Sequence, residues 1–156
     1  MLINLICVGT KMPSWVTSGY EEYAKRLNRD VQLKLIELEL AKRSKNSSVE
    51  NLKSEEAKKI RQAIPKGNHV VVLDVTGNQW STEKLSHRLD HWLHTGKDIS
   101  LVIGGPDGLD ESLIRSANES WSLSKLTYPH PLVRVIISEQ IYRAWSMLNN
   151  HPYHRV

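Results

Sequence analysis

Apolar and polar positions divide the chain into short buried runs alternating with amphipathic stretches. Residues 2–8 are nearly all apolar and stop at Gly9. An apolar run of that length predicts a strand buried on both faces. Residues 31–40 alternate, but the phase slips between Leu35 and Ile36. The slip predicts either a bulge or cover on both faces. Val70-Val-Val-Leu73 predicts a short buried strand ending at Asp74, and Ile99–Ile103 predicts another, running straight into Gly104-Gly105-Pro106. Residues 121–126 predict one more short strand.

Helical spacing fills the intervals. Ser18-Gly-Tyr-Glu21 reads as a capping box, with Tyr20, Tyr23, Ala24 and Leu27 in helical phase. Ser47-Ser-Val-Glu50 reads as a second box, opening a helix that carries Leu52, Ala57, Ile60 and Ile64 and stops at Pro65 and Gly67. Leu85, Leu89, Trp92 and Leu93 share a helical face closed by Gly96. Leu113, Ile114 and Ala117 predict a helix after Asp110. His130-Pro131 starts the last helix, since proline suits a first helical turn. Its core stripe is Val133, Ile137, Ile141, Trp145 and Leu148, with Arg134, Ser138, Tyr142 and Arg143 off the stripe. Strands alternating with helices predict an α/β fold, a mostly parallel sheet flanked by helices. No repeat, linker or low-complexity segment interrupts 1–156, which predicts one domain.

Composition narrows the class. A hydrophobic content of 40% over 156 residues supplies a real core. The net charge of +4 permits a polyanionic partner without demanding one. Cys7 is the single cysteine, so no internal disulfide forms, and a reducing cytoplasm is the simplest compartment. The apolar start is too short to span a membrane and lacks a basic leader region, so no membrane partner is expected.

Candidate chemistry gathers where strands end, because open parallel sheets bind ligands outside the carboxyl ends of their strands. Three such ends are Leu73-Asp74, Ile103-Gly104-Gly105 and the 122–128 segment. Side by side they would form one cleft. Glycines at 104 and 105 would let a flat ligand approach the backbone, although Gly-Gly-Pro is also an ordinary tight turn. The pattern is not a dinucleotide fingerprint, because Leu109 stands where its last glycine belongs and Asp107 would repel a pyrophosphate. No Walker P-loop and no Gly-x-Ser-x-Gly elbow occur. His87, His91 and His94 share one helical face opposite the apolar stripe and read as a solvated face; no metal site is predicted. Asp107, Asp110 and Glu111 flank a helix start, where anionic residues favour the helix dipole without catalysis. Lys11, Lys42, Arg43 and Lys45 add basic loops, and with the tail residues Tyr153, His154 and Arg155 they make a reasonable RNA surface.

Val8-Gly-Thr-Lys-Met-Pro-Ser-Trp15, Leu101-Val-Ile-Gly-Gly-Pro-Asp-Gly-Leu109 and the stretch from Trp121 to Arg155 resemble the bacterial RlmH family, SPOUT-class methyltransferases of the large ribosomal subunit RNA. The resemblance covers essentially the whole chain and is weakest over 41–66. It implies an α/β knot, a SPOUT fold whose C-terminal segment is threaded into a trefoil knot, a topology that general folding rules disfavour. It implies S-adenosylmethionine as methyl donor, held by Leu73, Gly104 and Leu123, Ser124, Lys125, Leu126, Thr127 and Tyr128, with Gly105 beside them. It further implies a homodimer in which the tail of one subunit completes its partner's site. The implied substrate is a pseudouridine in helix 69 of 23S rRNA, methylated at N3 on the assembled 70S ribosome.

On that reading Arg134 and Arg155 stabilise the anionic base or nearby phosphates, and Tyr142 orients the ring. His130 either accepts the N3 proton or merely caps the final helix. Two other classes fit the same residues: a ribosome-binding factor that keeps the fold without the chemistry, and a SPOUT methyltransferase acting on tRNA.

Overall fold

A computed structural model describes residues 1–28 and 30–155. Five strands, β1 (Leu2–Val8), β2 (Gln32–Leu38), β3 (His69–Gln79), β4 (Ile99–Ile103) and β5 (Glu119–Ser122), alternate along the chain with α1 (Ser14–Ala24), α2 (Val49–Ala63), α3 (Thr82–Thr95), α4 (Glu111–Ser116) and α5 (His130–Leu148). The strands lie in the order β2-β1-β4-β3-β5, and every neighbouring pair is parallel. Parallel neighbours cannot be joined by tight hairpins, so each connection carries a helix across a face of the sheet.

Both faces are therefore covered, which explains the unbroken apolar runs of β1 and β4. Ile3, Leu5, Val71 and Leu101 pack with Tyr20 of α1, Leu89 and Trp92 of α3, and Ile137 and Ile141 of α5. Val8, Val72 and Val102 point the other way, onto Ile60 of α2 and Leu113 of α4.

Several expected boundaries move. β2 pairs with β1 without interruption from Leu2↔Gln32 to Val8↔Leu38, so its phase slip is not a bulge. Leu35 and Ile36 are both half-buried, because this edge strand is partly covered on both faces. The irregular strand is β3, which continues to Gln79 rather than ending at Asp74. Its register against β5 shifts between Leu73 and Asn78. Asp74 accepts the Thr76 N–H at 3.0 Å, folding the extra residues outward in a side-chain turn. β5 occupies Glu119–Ser122 rather than 121–126, leaving 123–129 as a loop beside the strand ends.

The helix starts are also informative. α1 begins at Ser14, placing Ser18–Glu21 inside the helix rather than at its cap. Pro13, at φ −53°, opens it, and its carbonyl accepts the Val16 N–H at 3.0 Å. The cap of α2 is Ser48, whose hydroxyl accepts the Asn51 N–H at 3.1 Å, one residue after the Ser47 with which the expected box begins. Gly96 ends α3 as expected, in the left-handed conformation at φ 69°. α5 departs most from its pattern. It lies in the core shared with α1 and α3, so Arg134, Ser138 and Tyr142 are buried with the apolar stripe instead of facing water. Among the described residues, no helix is long and apolar enough to cross a membrane.

Candidate active site

The bend of β3 at Leu73–Val75 and the carboxyl ends of β4 and β5 meet the N-terminus of α5 around a cavity of about 600 Å³. Leu73, Gly104, Gly105, Leu123, Ser124, Leu126, Thr127 and Tyr128 line it. The three segments picked out by sequence thus form one cleft, although the first is a bend within β3 and not its end. Lys125, in the same segment, is exposed and does not line it. The turn after β4 closes with the Gly108 N–H donating to the Gly105 carbonyl at 3.0 Å. The loop after β5 is tied by its serines: Ser122 Oγ donates to the Ser124 carbonyl at 3.0 Å, and Ser124 Oγ accepts the Leu126 N–H at 3.0 Å. Ser124 therefore shapes the loop as well as bordering the cavity.

Two features shape the walls. A Cβ at Gly104 would lie 2.9 Å from the Gly108 carbonyl carbon and 3.0 Å from Leu109 Cδ2, so the backbone is bare there by necessity. Trp121, which lines the cavity and stacks on Trp80 at 5.0 Å between ring centroids, has no partner for its buried indole N–H among the described residues. Apolar walls with a few unpaired polar groups are the usual makeup of a small-molecule site. Sequence reasoning missed Trp121 and Val133 as wall residues. Val133 was assigned to the core stripe, and its position at the helix start was the available signal. Asp74, Val75 and Pro106 to Gly108 also line the rim.

His130 borders this cavity at the first position of α5, with no side-chain cap bond at that helix end. Burial, helped by the nearby Arg134 guanidinium, lowers its pKa below the ordinary imidazole value. The ring is accordingly neutral near pH 7 and able to accept a proton. Arg134 points away from solvent. Its Nη1 donates to Glu37 Oε2 at 2.6 Å and its Nη2 to the Gly9 carbonyl at 2.7 Å. Both side chains lie against Gly9: a Cβ there would lie 3.4 Å from His130 Nε2 and 3.5 Å from Arg134 Nη2.

Tyr142 and Arg155 stand apart from this cavity on their own chain. Tyr142 is buried, stacked on Trp145 at 5.8 Å and 4.7 Å from the Tyr153 ring. The tail folds back on α5: the His151 N–H donates to the Ser146 carbonyl at 2.9 Å and the Tyr153 hydroxyl to Glu139 Oε1 at 2.9 Å. Arg155 follows, exposed. The basic 42–48 loop touches the rim instead, through an ion pair between Arg43 and Asp107. Asp110 caps α4 by accepting the Ser112 N–H at 2.9 Å, as a helix-start residue should. His87, His91 and His94 are exposed along α3, and among the described residues no group of three His, Cys, Asp or Glu could hold a metal.

A parallel sheet with a cofactor-sized cavity at its carboxyl side defines a ligand-binding α/β protein. The chain belongs to the family described as predicted SPOUT methyltransferase, whose model matches residues 1–154. It is 58% identical over 155 residues to the "Ribosomal RNA large subunit methyltransferase H" of Hydrogenovibrio crunogenus, covering 99% of each chain. It is 52% identical to the protein of the same name from Methylococcus capsulatus, covering 99% of this chain and 100% of that one. Among solved structures it is similar in fold to a probable methylase family protein from Haemophilus influenzae, with a TM-score of 0.56 at 11% identity over 99% of this chain and 70% of that one.

Proposed function

We propose that this chain methylates N3 of a pseudouridine in helix 69 of 23S rRNA, using S-adenosylmethionine, on the assembled 70S ribosome in the cytoplasm. The observation that carries the reading is the cavity formed by Leu73, Gly104 and the 123–128 loop, in a chain whose relatives, at 52–58% identity and nearly full length, are named as large-subunit rRNA methyltransferases. Threading of the 121–148 region as a trefoil knot belongs to the same reading. So does a homodimer whose tails complete each other's sites.

Leu73, Gly104, Gly105, Leu123, Ser124, Leu126, Thr127 and Tyr128 would hold the cofactor, with Lys125 at the exposed edge of the loop. When bound, S-adenosylmethionine supplies a methyl group already activated on a sulfonium. The protein's task is then alignment of the acceptor and removal of its proton. The N3 imide must lose its proton near the transition state, and each unit by which the pocket lowers its pKa is worth about 1.4 kcal/mol. His130, neutral and beside the cavity, accepts that proton. The buried Arg134 lies close by and favours the anionic base electrostatically, and the positive end of the α5 dipole acts in the same direction. Arg155 and Tyr142, remote from their own chain's cavity, act across the dimer, Arg155 on the anionic base or adjacent phosphates and Tyr142 on the orientation of the ring.

The test is transfer of labelled methyl from S-adenosylmethionine to 70S ribosomes, separated subunits and free 23S rRNA from cells lacking this gene, with the product nucleoside mapped. Labelled N3-methylpseudouridine in 70S ribosomes is the expected product. Label found only in another RNA, or none despite measured cofactor binding, overturns the assignment.

A further inference from the structure

The lining of the cofactor cavity is charged with one sign. Among the described residues, Asp74 and Asp107 line it and no lysine or arginine does. His130, also in the wall, is neutral near pH 7 because burial lowers its pKa. Leu73, Val75, Ile103, Trp121, Leu123 and Val133 supply apolar wall around the carboxylates. A cleft of one sign with walls of low dielectric focuses the field and favours counter-ions. The α5 dipole adds about half a positive charge near His130, less than the full negative charge of one carboxylate.

The two carboxylates differ. Asp107 is ion-paired with Arg43 of the basic loop, so its charge is offset at the rim. Asp74 is half-buried and forms no ion pair among the described residues. It accepts the Thr76 N–H at 3.0 Å and the Thr76 hydroxyl, which makes a side-chain turn. The turn explains the residue type but not the charge, because asparagine makes such turns as well. A polyanionic substrate does not explain it either, since a carboxylate in the wall opposes phosphates. A chain of net charge +4 that keeps an unpaired carboxylate in this cavity is arranged for a cationic guest.

The methyl donor of the reading above is such a guest, and its product is not. As the methyl group bonds to the N3 nitrogen, the C–S bonding pair stays on sulfur. The sulfonium becomes the neutral thioether of S-adenosylhomocysteine. The bound molecule thus loses one positive charge, while its adenine, ribose, amine and carboxylate stay the same.

We propose that Asp74 is a specificity-determining residue of this cavity, favouring the sulfonium donor over the thioether product. The inference deepens the S-adenosylmethionine reading and rests on it. Coulomb attraction acts across several ångströms, so the effect needs Asp74 in the wall and no direct contact with sulfur. Losing that attraction on methyl transfer loosens the product, whose release limits turnover in many enzymes.

Asp74→Asn keeps a turn-forming side chain and removes the charge. Arg43→Gln acts in the opposite sense, freeing the charge of Asp107. Affinities of the free protein for S-adenosylmethionine and for S-adenosylhomocysteine are measured by calorimetry at low salt, with melting temperature alongside. The ratio of the two affinities is the readout, because damage to the shared parts of the pocket cancels from it. Asp74→Asn should move the ratio about tenfold toward the product, almost entirely through weaker binding of the donor. Arg43→Gln should move it toward the donor by a smaller factor, because that pair is more exposed. Added salt should shrink both shifts. An unchanged ratio in Asp74→Asn, or in Arg43→Gln should Asp74→Asn fail to fold, overturns the inference. Equal loss of both ligands in Asp74→Asn also overturns it, since the carboxylate would then hold a part that donor and product share. A wild-type protein that binds neither ligand overturns the cofactor reading itself, and this inference falls with it.

Discussion

At the scale of single residues, the structure separates groups that sequence alone treats alike. His130 and the three histidines of α3 are the same side chain, yet His130 borders the cavity and has its pKa lowered by burial, while the other three lie exposed along their helix. A base must be unprotonated to act, and a lowered pKa keeps it so further into acid. Turnover should therefore hold steady through neutrality and fall only below the ordinary imidazole value of 6.5. The check is kcat against pH at saturating cofactor. His130→Gln should lose about a hundredfold in kcat and lose the acid limb as well; a variant that keeps the limb assigns it to another group. Cys7 makes the complementary case. Burial pushes its thiol up to about 12, so it is a core residue and not a nucleophile. Iodoacetamide at pH 8 should label it at the rate of unfolding, reaching full modification only in denaturant.

At the scale of elements, the bend in β3 shows what the sequence could and could not disclose. Val70–Leu73 was legible as a strand because its apolar run is continuous, and Ile99–Ile103 for the same reason. The continuation to Gln79 was not, because Asp74, Thr76, Gly77 and Asn78 are turn formers, and pairing resumes at Asn78 and Gln79 only through β5, a partner distant in sequence. The cleft itself was legible, since strand ends followed by glycine or small residues mark the ligand side of a parallel sheet. The burial of Arg134 and Tyr142 was not, because a periodic stripe identifies one buried face and cannot reveal that α1 and α3 cover the others. The bend also carries a prediction. A Cβ at Gly77 would lie 2.8 Å from the backbone carbonyl carbons of Ser120 and Trp121, and backbone cannot rotate aside as a side chain can. Gly77→Ala should force β5 away, costing about 2 kcal/mol in urea unfolding. It should weaken cofactor binding as well, because Leu73 and Trp121 on either side of the bend line the cavity. Gly96→Ala is the control. It meets nothing within 4 Å but holds φ at 69°, so it should cost about 1 kcal/mol and leave cofactor affinity alone.

At the scale of the whole molecule, the site is unevenly distributed along the chain. Walls of the cofactor cavity come from Leu73 through Val133, and among the described residues none comes from beyond Val133. The tail nevertheless has its own anchor, since Tyr153 bonds Glu139 and lies on the Arg143 guanidinium at 4.9 Å from the ring centroid. A fold that ties down Tyr153 and leaves Arg155 exposed holds the last basic residues in a defined place away from their own cavity. A symmetric dimer would present them to another. If Arg155 serves the partner's site, two inactive variants should repair each other. His130→Ala lacks the base but keeps a sound tail; Arg155→Ala keeps the base and lacks the tail. In a mixed dimer, the subunit that retains His130 receives the intact tail from its neighbour, while the other site lacks both. Equal mixing after subunit exchange should thus restore about one quarter of wild-type sites, as random pairing in a two-fold dimer requires. Methyl transfer by the mixture, measured against each variant alone, gives the answer. Recovery near that fraction places the tail in trans. No recovery, with exchange verified by mass, means that Arg155 works on its own chain, and the tail must then swing from its anchor at Tyr153 to reach the cavity.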